Sequence, residues 1–467
     1  MTQIATVVFF LGICGLFWLD RDPNVRTSKA LWLPVVWLLI AGSRSVSTWL
    51  QMGPSKLPAQ YIEGSPLDRA VYTGLLVVGL FVLFGRQKAV GRFLRANWPI
   101  ALFVLYCAVS IIWSDFPEVA LKRWIKSLGD YAMILIVLTD PDPFGALKRV
   151  LARAGFLLLP LSVLLIKYYP DLGRAYPVHW EGTTYYVGVA ADKNMLGMAC
   201  LVFGLGSWWR FLKEFRRERG QRRRGPLIAH GVVIAMTIWL LWLANSMTSL
   251  ACFVMASGLI AATSSPWVAR KRVVVHVLVA GVLSCCFCIL FLDLGSFLLT
   301  AVGRNPTLTG RTDLWEKLIE MTANPLLGAG FESFWLGPRL EKLWSIYWWQ
   351  PNESHNGYLE VYLNLGWVGI ALLAGAVVAG YRNIISLLNT DPDAGWLRLA
   401  YFVVGLAYNL TEAAIRTMDL MWLAFLVALM VLPKAPAPKE PFRNIAVTAD
   451  SKAKSPGKIE EETPVWR

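Results

Sequence analysis

Two side chains in this sequence are placed to do polar chemistry at the mouths of apolar runs. The first is His355, in "NESHNGYLEVYLNLGWVGIALL", which begins at Asn352. With Ser354 or Asn352 as N-cap, His355 falls in the first turn of a long apolar helix. The positive end of a helix disfavours imidazolium and keeps the ring neutral. A neutral imidazole at a wet boundary can accept a proton, as a general base does. A histidine there can equally make only a local hydrogen bond. The second is Arg311, in "TLTGRTDLWEKLIEMTANPLLGAGFESFW". Thr312 or Asp313 can cap a helix on which Trp315, Leu318, Ile319 and Thr322 form one apolar stripe. Arg311 adds a guanidinium to the free N–H groups of that helix start, a pairing that suits phosphate. It also suits an interfacial arginine resting on lipid head groups.

Further polar residues gather at boundaries of the same kind. They are Arg44 in "AGSRSVSTWL", Arg69 in "SPLDRA", Lys122, Arg123 and Lys126, Lys193 and Asn194 in "ADKNMLG", and Glu412 and Arg416 in "NLTEAAIRTMD". Each alone can snorkel to head groups. Together they describe a basic cavity suited to a polyanion such as pyrophosphate, because boundary charges in membrane proteins commonly mark function.

These residues need a membrane scaffold. Of 467 residues 56% are hydrophobic and 16% charged, less charge than a soluble domain of this length carries. The apolar residues come in thirteen blocks: roughly 4–19, 30–43, 70–85, 97–113, 119–138, 149–169, 190–210, 227–245, 248–264, 273–294, 356–380, 397–414 and 418–432. Most approach the length a helix needs to cross a bilayer. The expected fold is all-α: a polytopic transmembrane bundle of about 12–13 spans with one long, partly helical periplasmic loop at 295–355. Thirteen spans put the basic connections at Arg21–Lys29, Arg86–Arg95, Lys148–Arg149, 213–224 and Arg270–Arg272 on one side, the cytoplasmic one. The +14 net charge is then a topology signal. It is not a nucleic-acid footprint: "KEFRRERGQRRRGP" has no interleaved aromatic platform. The loop 295–355 is too long and too aromatic to be a plain linker.

Other features resolve into packing. The seven cysteines lie in apolar blocks without metal-site spacing. "GAGF" at 328–331 follows no strand and has no Walker lysine, so its glycines make a turn. The first block lacks a basic n-region and a small-residue cleavage site and reads as a span. The residues divide into N-terminal helices (1–184), a region with the outer loop (185–432) and a disordered cytoplasmic tail (433–467).

The order "GRTDLW … NPLLGAGFESF … SHNGYLEVYLNLGWVGIALL" resembles the O-antigen ligase and polymerase superfamily (Wzy-C type domain), with a flavour of its exopolysaccharide-production members in "GSRSVSTWL". The resemblance implies an inner-membrane glycosyltransferase with its site facing the periplasm. Its donor would be a glycan on undecaprenyl pyrophosphate and its acceptor a glycan or lipid hydroxyl. Membrane lipids and other polysaccharide export components would be its partners; no nucleic acid, metal or cofactor would be involved. Arg311 would hold pyrophosphate and His355, beside Asn356, would activate the acceptor. One departure stands out: ligases carry a second arginine where this chain has Met247 in "NSMTSL". Lys193, Arg44 or Arg123 would have to replace it, which favours a polymerase over a lipid A ligase. The competing expectation from another class is a lipid-linked sugar transporter or flippase.

Overall fold

The computed structural model describes residues 1–22, 27–52, 64–176, 184–263, 271–291, 309–322 and 324–430. His179, the start of the outer loop and the tail from 433 lie outside them. In chain order the principal helices are α1 (Thr2–Leu19), α2 (Trp32–Ala41, entered through a 3-10 turn), α3 (Pro66–Phe84), α4 (Gln87–Ala96), α5 (Trp98–Val109), α6 (Pro117–Leu138), α7 (Pro143–Tyr168) and α8 (Lys193–Phe215). They continue with α9 (Arg224–Ala244), α10 (Met247–Thr263), α11 (Arg272–Phe291), α12 (Thr309–Glu320), α13 (Gly337–Ile346), α14 (Gly357–Thr390), α15 (Pro392–Tyr408) and α16 (Leu420–Leu429). Two paired two-residue strands, Arg174–Ala175 and Tyr185–Tyr186, are the only sheet among the described residues.

Each of the thirteen expected apolar segments contains a helix within the described residues, and the protein is an all-α, multi-pass membrane protein. Among the described residues six helices are long and apolar enough to cross a membrane alone, and the bent pair α4 with Trp98–Trp113 makes a seventh. The others miss that standard for physical reasons. α2, α10, α11 and α16 are short, and α6 carries Glu118, Lys122, Arg123, Lys126 and Asp130. The stretch read as a basic connection at 86–95 is itself helical, lying at 92° to the helix after it with Phe93 buried.

The helix starts follow capping rules. Proline occupies the first turn of α3, α6, α7 and α15, where its missing N–H costs nothing. Asp192 caps α8 by accepting from the N–H groups of Asn194 (2.8 Å) and Met195 (2.9 Å). Ion pairs tie helix ends on the side away from His355: Arg210 to Asp20 (2.6 Å), Arg223 to Asp22 (2.6 Å) and Arg86 to Asp140 (3.7 Å).

The described part of the outer loop folds with a small core of its own. Leu314 and Leu318 of α12, Phe334, Leu343 of α13 and Leu363 of α14 are buried together. The buried face of α12 is therefore Leu314/Leu318, one step from the expected stripe; Ile319 is 51% exposed.

A break in α14 anchors this loop. Gly366 sits at φ 62°, ψ −166°, where the helix is interrupted. The freed backbone groups are taken up by the "NPLLGAGF" segment. Leu363 and Asn364 carbonyls accept from Ala329 (3.0 Å) and Gly330 (2.8 Å), while Trp367 and Val368 donate to Pro325 (3.0 Å) and Leu326 (3.2 Å). This satisfies the requirement that a helix interruption in an apolar setting find polar partners within the protein. The "GAGF" glycines do make turns, with φ 71° at Gly328 and 92° at Gly330.

Candidate active site

His355 is not in the first turn of α14. Asn356 is the N-cap, its Oδ1 accepting from Tyr358 (3.0 Å) and Leu359 (3.1 Å). His355 precedes it in a left-handed conformation, φ 53°. The residue after Asn356 is glycine for a steric reason. Gly357 N–H approaches the carbonyls of Asn409 (2.9 Å) and Glu412 (3.1 Å), and a Cβ there would meet the Asn409 amide oxygen at 1.9 Å. This close approach brings the 409–419 connection, and with it Glu412 and Arg416, up against the histidine.

Glu353 and Glu412 flank the imidazole. His355 Nδ1 lies 3.1 Å from Glu353 Oε1 and 3.4 Å from Glu412 Oε2. Arg416 pairs with the other oxygen of Glu353 and lies 3.8 Å from Asp419. Arg311 Nη2 is 3.7 Å from Glu412 Oε1, and Nη1 donates to the Thr411 carbonyl. The charges alternate along one row: Arg416, Glu353, His355, Glu412, Arg311. Trp349 lies against the imidazole with ring centroids 6.4 Å apart. Trp315 of α12 donates to the Ser354 carbonyl (2.7 Å), joining the helix that carries Arg311 to the turn that carries His355.

This geometry overturns the expectation of a neutral ring. Burial pulls the His355 pKa down, but hydrogen bonds and charge from Glu353 and Glu412 outweigh it and raise it to about 9. Burial likewise pushes the Glu353 carboxyl up, but Arg416 and His355 prevail and hold it at about 2. The linkage signs follow. A raised histidine contributes stability that is complete below its unfolded pKa, about 6.5, and is lost as pH rises through about 9. A depressed carboxylate contributes stability above its unfolded value, about 4.3, that is lost as pH falls toward about 2. We expect thermal melts of the detergent-purified protein to peak between about pH 5 and 6.5 and to decline toward pH 9. In Glu353→Gln the alkaline decline should shrink; an unchanged alkaline limb would detach it from this cluster.

The cavity beside the row has a volume of about 570 Å³ and is lined by Lys193, Asn194, Glu353, His355, Glu412 and Arg416, among others. Arg311 reaches this site through Glu412 and is not part of the lining. Of the three expected substitutes for a cation at Met247, Lys193 alone lines this cavity. Arg44 is occupied by backbone carbonyls, Ala190 (3.1 Å), Gly188 (3.4 Å) and Leu172, and staples the connection before α8. Arg123 donates to the Glu332 carbonyl and lines two neighbouring cavities; Arg69 lines one of those. Asn356 acts as a cap.

Glu353, Glu332 and Asp130 were not singled out from sequence, although the pairing of Glu353 two residues before His355 was a usable signal. Glu332 Oε1 accepts from Thr417 N–H (3.2 Å) and hydroxyl (2.7 Å), and Asp130 accepts from Met418 N–H (3.0 Å), so both hold the turn that presents Arg416. One donor atom each of Glu353, His355 and Glu412 lie within 4.8 Å of one another, a spacing a metal ion can use. Arg311 and Arg416 already neutralise both carboxylates, which weakens the case for a cation there.

Residues 195–374 match the family model Wzy_C, described as O-antigen ligase. The match bears out the resemblance to the O-antigen ligase and polymerase superfamily. It covers both Arg311 and His355; Lys193, Glu412 and Arg416 lie outside it. The chain is also 27% identical over 320 residues to "Exopolysaccharide production protein ExoQ" of Rhizobium meliloti (strain 1021), covering 67% of this chain and 71% of that protein. Both similarities are to proteins described by O-antigen ligation or exopolysaccharide production.

Proposed function

We propose that this protein is a glycosyltransferase at the periplasmic face of the bacterial inner membrane. It moves a glycan from undecaprenyl pyrophosphate to an acceptor hydroxyl, as an exopolysaccharide or O-antigen polymerase or ligase. The observation that carries the reading is the alternating charge row with His355 at its centre beside a cavity into which Lys193 and Arg416 bring positive charge among the carboxylates of Asp192, Glu353, Glu412 and Asp419. Glu353 and Glu412 orient the ring through Nδ1, which leaves Nε2 for the acceptor. The acceptor O–H bond breaks as its proton passes to Nε2. The new bond forms at the anomeric carbon with inversion as the carbon–oxygen bond to pyrophosphate breaks. The departing negative charge is met by Lys193 and Arg416 in the lining, with Arg311 adding its positive charge from behind Glu412. The leaving group is already activated, so positioning, charge stabilisation and one proton acceptor suffice. No step passes through a metal.

Arg311→Lys should lower transfer by about 10- to 100-fold, because an ammonium cannot reproduce the guanidinium fork that spans Thr411 and Glu412. Full activity in that variant would remove Arg311 from the phosphate role. The decisive experiment is analysis of surface polysaccharide and lipid-linked intermediates in a deletion strain. Lipid-linked units accumulating in the outer leaflet support the transferase, and units trapped in the cytoplasmic leaflet support a flippase. Loss of long polymer marks a polymerase; long polymer left on the carrier lipid marks a ligase.

A further inference from the structure

One guanidinium on the side away from His355 lacks what its burial requires. Arg153 of α7 rests over the Trp32 ring at the start of α2, 4.5 Å from the ring centroid. Its Nη1 is sealed from water and meets no hydrogen-bond partner among the described residues. A buried nitrogen left so is costly, and most such groups are paired with protein, water or a ligand. The same side chain lines a cavity of about 340 Å³ between α1 and the first half of α7, together with Phe17, Asp20, Arg21, Asp22 and Phe156. The carboxylates in this wall are engaged elsewhere. Asp20 accepts from Arg210 (2.6 Å) and faces His230 Nε2 (3.2 Å), and Asp22 accepts from Arg223 (2.6 Å). Arg149, also in the wall, is committed to Thr27 Oγ1 (2.7 Å) and the Asp22 carbonyl (3.0 Å).

An anion entering this cavity supplies the acceptor that the protein does not, with the long arginine stem turning the fork toward it. Phe17, Ala152 and Phe156 make one wall apolar, so the space suits an amphiphile better than a free ion. Trp32 is 48% exposed, and Trp18, next to Phe17 in sequence, is 73% exposed. Exposed indoles of a membrane protein sit at the level of the lipid head groups. Arg21, exposed beyond the end of α1, brings a second guanidinium to the lining. We propose that this cavity binds the phosphate of an anionic membrane phospholipid between Arg153 and Arg21. The bound lipid ties the end of α1 to α7. The site lies at the other end of the bundle from the His355 cavity and does not depend on which reaction occurs there.

The test is a set of thermal melts of the full-length protein, delipidated in detergent, with and without dioleoylphosphatidylglycerol. The wild type should melt a few degrees higher with the lipid, because a ligand of the folded state stabilises it. Arg153→Met should lose most of that rise. Without lipid it should melt no lower than wild type, since an unpartnered nitrogen is removed while the thioether keeps a contact on Trp32. Arg21→Gln, an exposed change, should raise the half-saturating lipid concentration roughly fivefold. Lys88→Gln, an exposed cation of α4 outside this cavity, should alter neither the rise nor the half-saturation. A full rise in Arg153→Met overturns the site, as does an equal loss in Lys88→Gln. Should Arg153→Met melt lower without lipid, Arg21→Gln decides, and an unmoved half-saturation there overturns the site. Dioleoylphosphatidylcholine, with no net charge, should give little rise in the wild type; a rise equal to that from phosphatidylglycerol overturns recognition of the anion. Inorganic phosphate at the same concentration should give none, and an equal rise from it overturns the lipid source.

Discussion

His355→Ala should abolish polymer or ligated glycan, with turnover falling by about 10²- to 10⁴-fold, the range for loss of a general base. The protein should still insert and fold, because His355 lies outside the helices, where its ring meets Trp349 and two carboxylates. Lipid-linked donor should accumulate. The charge row adds a sharper signature. With the pKa raised to about 9, only about one ring in a hundred is neutral at pH 7. Turnover limited by that base should therefore climb close to tenfold per pH unit and level off near pH 9. Glu412→Gln or Glu353→Gln removes part of what favours imidazolium, so the plateau should begin at lower pH, toward about 6.5. A wild-type profile flat from pH 6 to 9 would remove His355 from proton transfer, whatever the alanine variant does.

Gly366→Ala should be severely damaging. At φ 62°, ψ −166° the backbone is in a region essentially reserved for glycine, where a side chain costs roughly 1–3 kcal/mol by itself. Here the added Cβ would also meet the Leu326 carbonyl oxygen at 2.2 Å, so the docked loop has to move. Because that loop carries Arg311 and packs Trp315 under Ser354, the variant should lose thermal stability and glycan transfer together. Gly375→Ala, in the same helix, is the control. Its Cβ meets nothing within 4 Å, and the helix gains by up to about 1 kcal/mol. Equal melting temperatures and activities for the two variants would refute the docking role.

The helices were legible in the sequence because apolar block length is a direct consequence of bilayer thickness. Their positions held, although among the described residues only six or seven are long and apolar enough to span alone, and α6 trades apolar residues for Lys122, Arg123 and Lys126. Arg311, His355, Glu412, Arg416 and Lys193 were also legible, since charge at an apolar boundary is conspicuous. What stayed hidden depends on tertiary approach. Nothing local says that Gly357 admits the 409–412 connection, so the ionisation of His355 was read with the wrong sign. Nor does local sequence say that Arg44 is occupied by carbonyls, or that Arg69 and Arg123 belong to another cavity. Those assignments rest on contacts between residues 57, 146 and 209 positions apart.

The interruption at Gly366 also bears on how this architecture can be recombined. Four main-chain bonds splice 325–330 to 363–368, so neither stretch is a self-sufficient cassette. A chimera that imports a foreign version of this loop must bring its own matching helix kink, and a loop exchange between related chains becomes a two-fragment transplant.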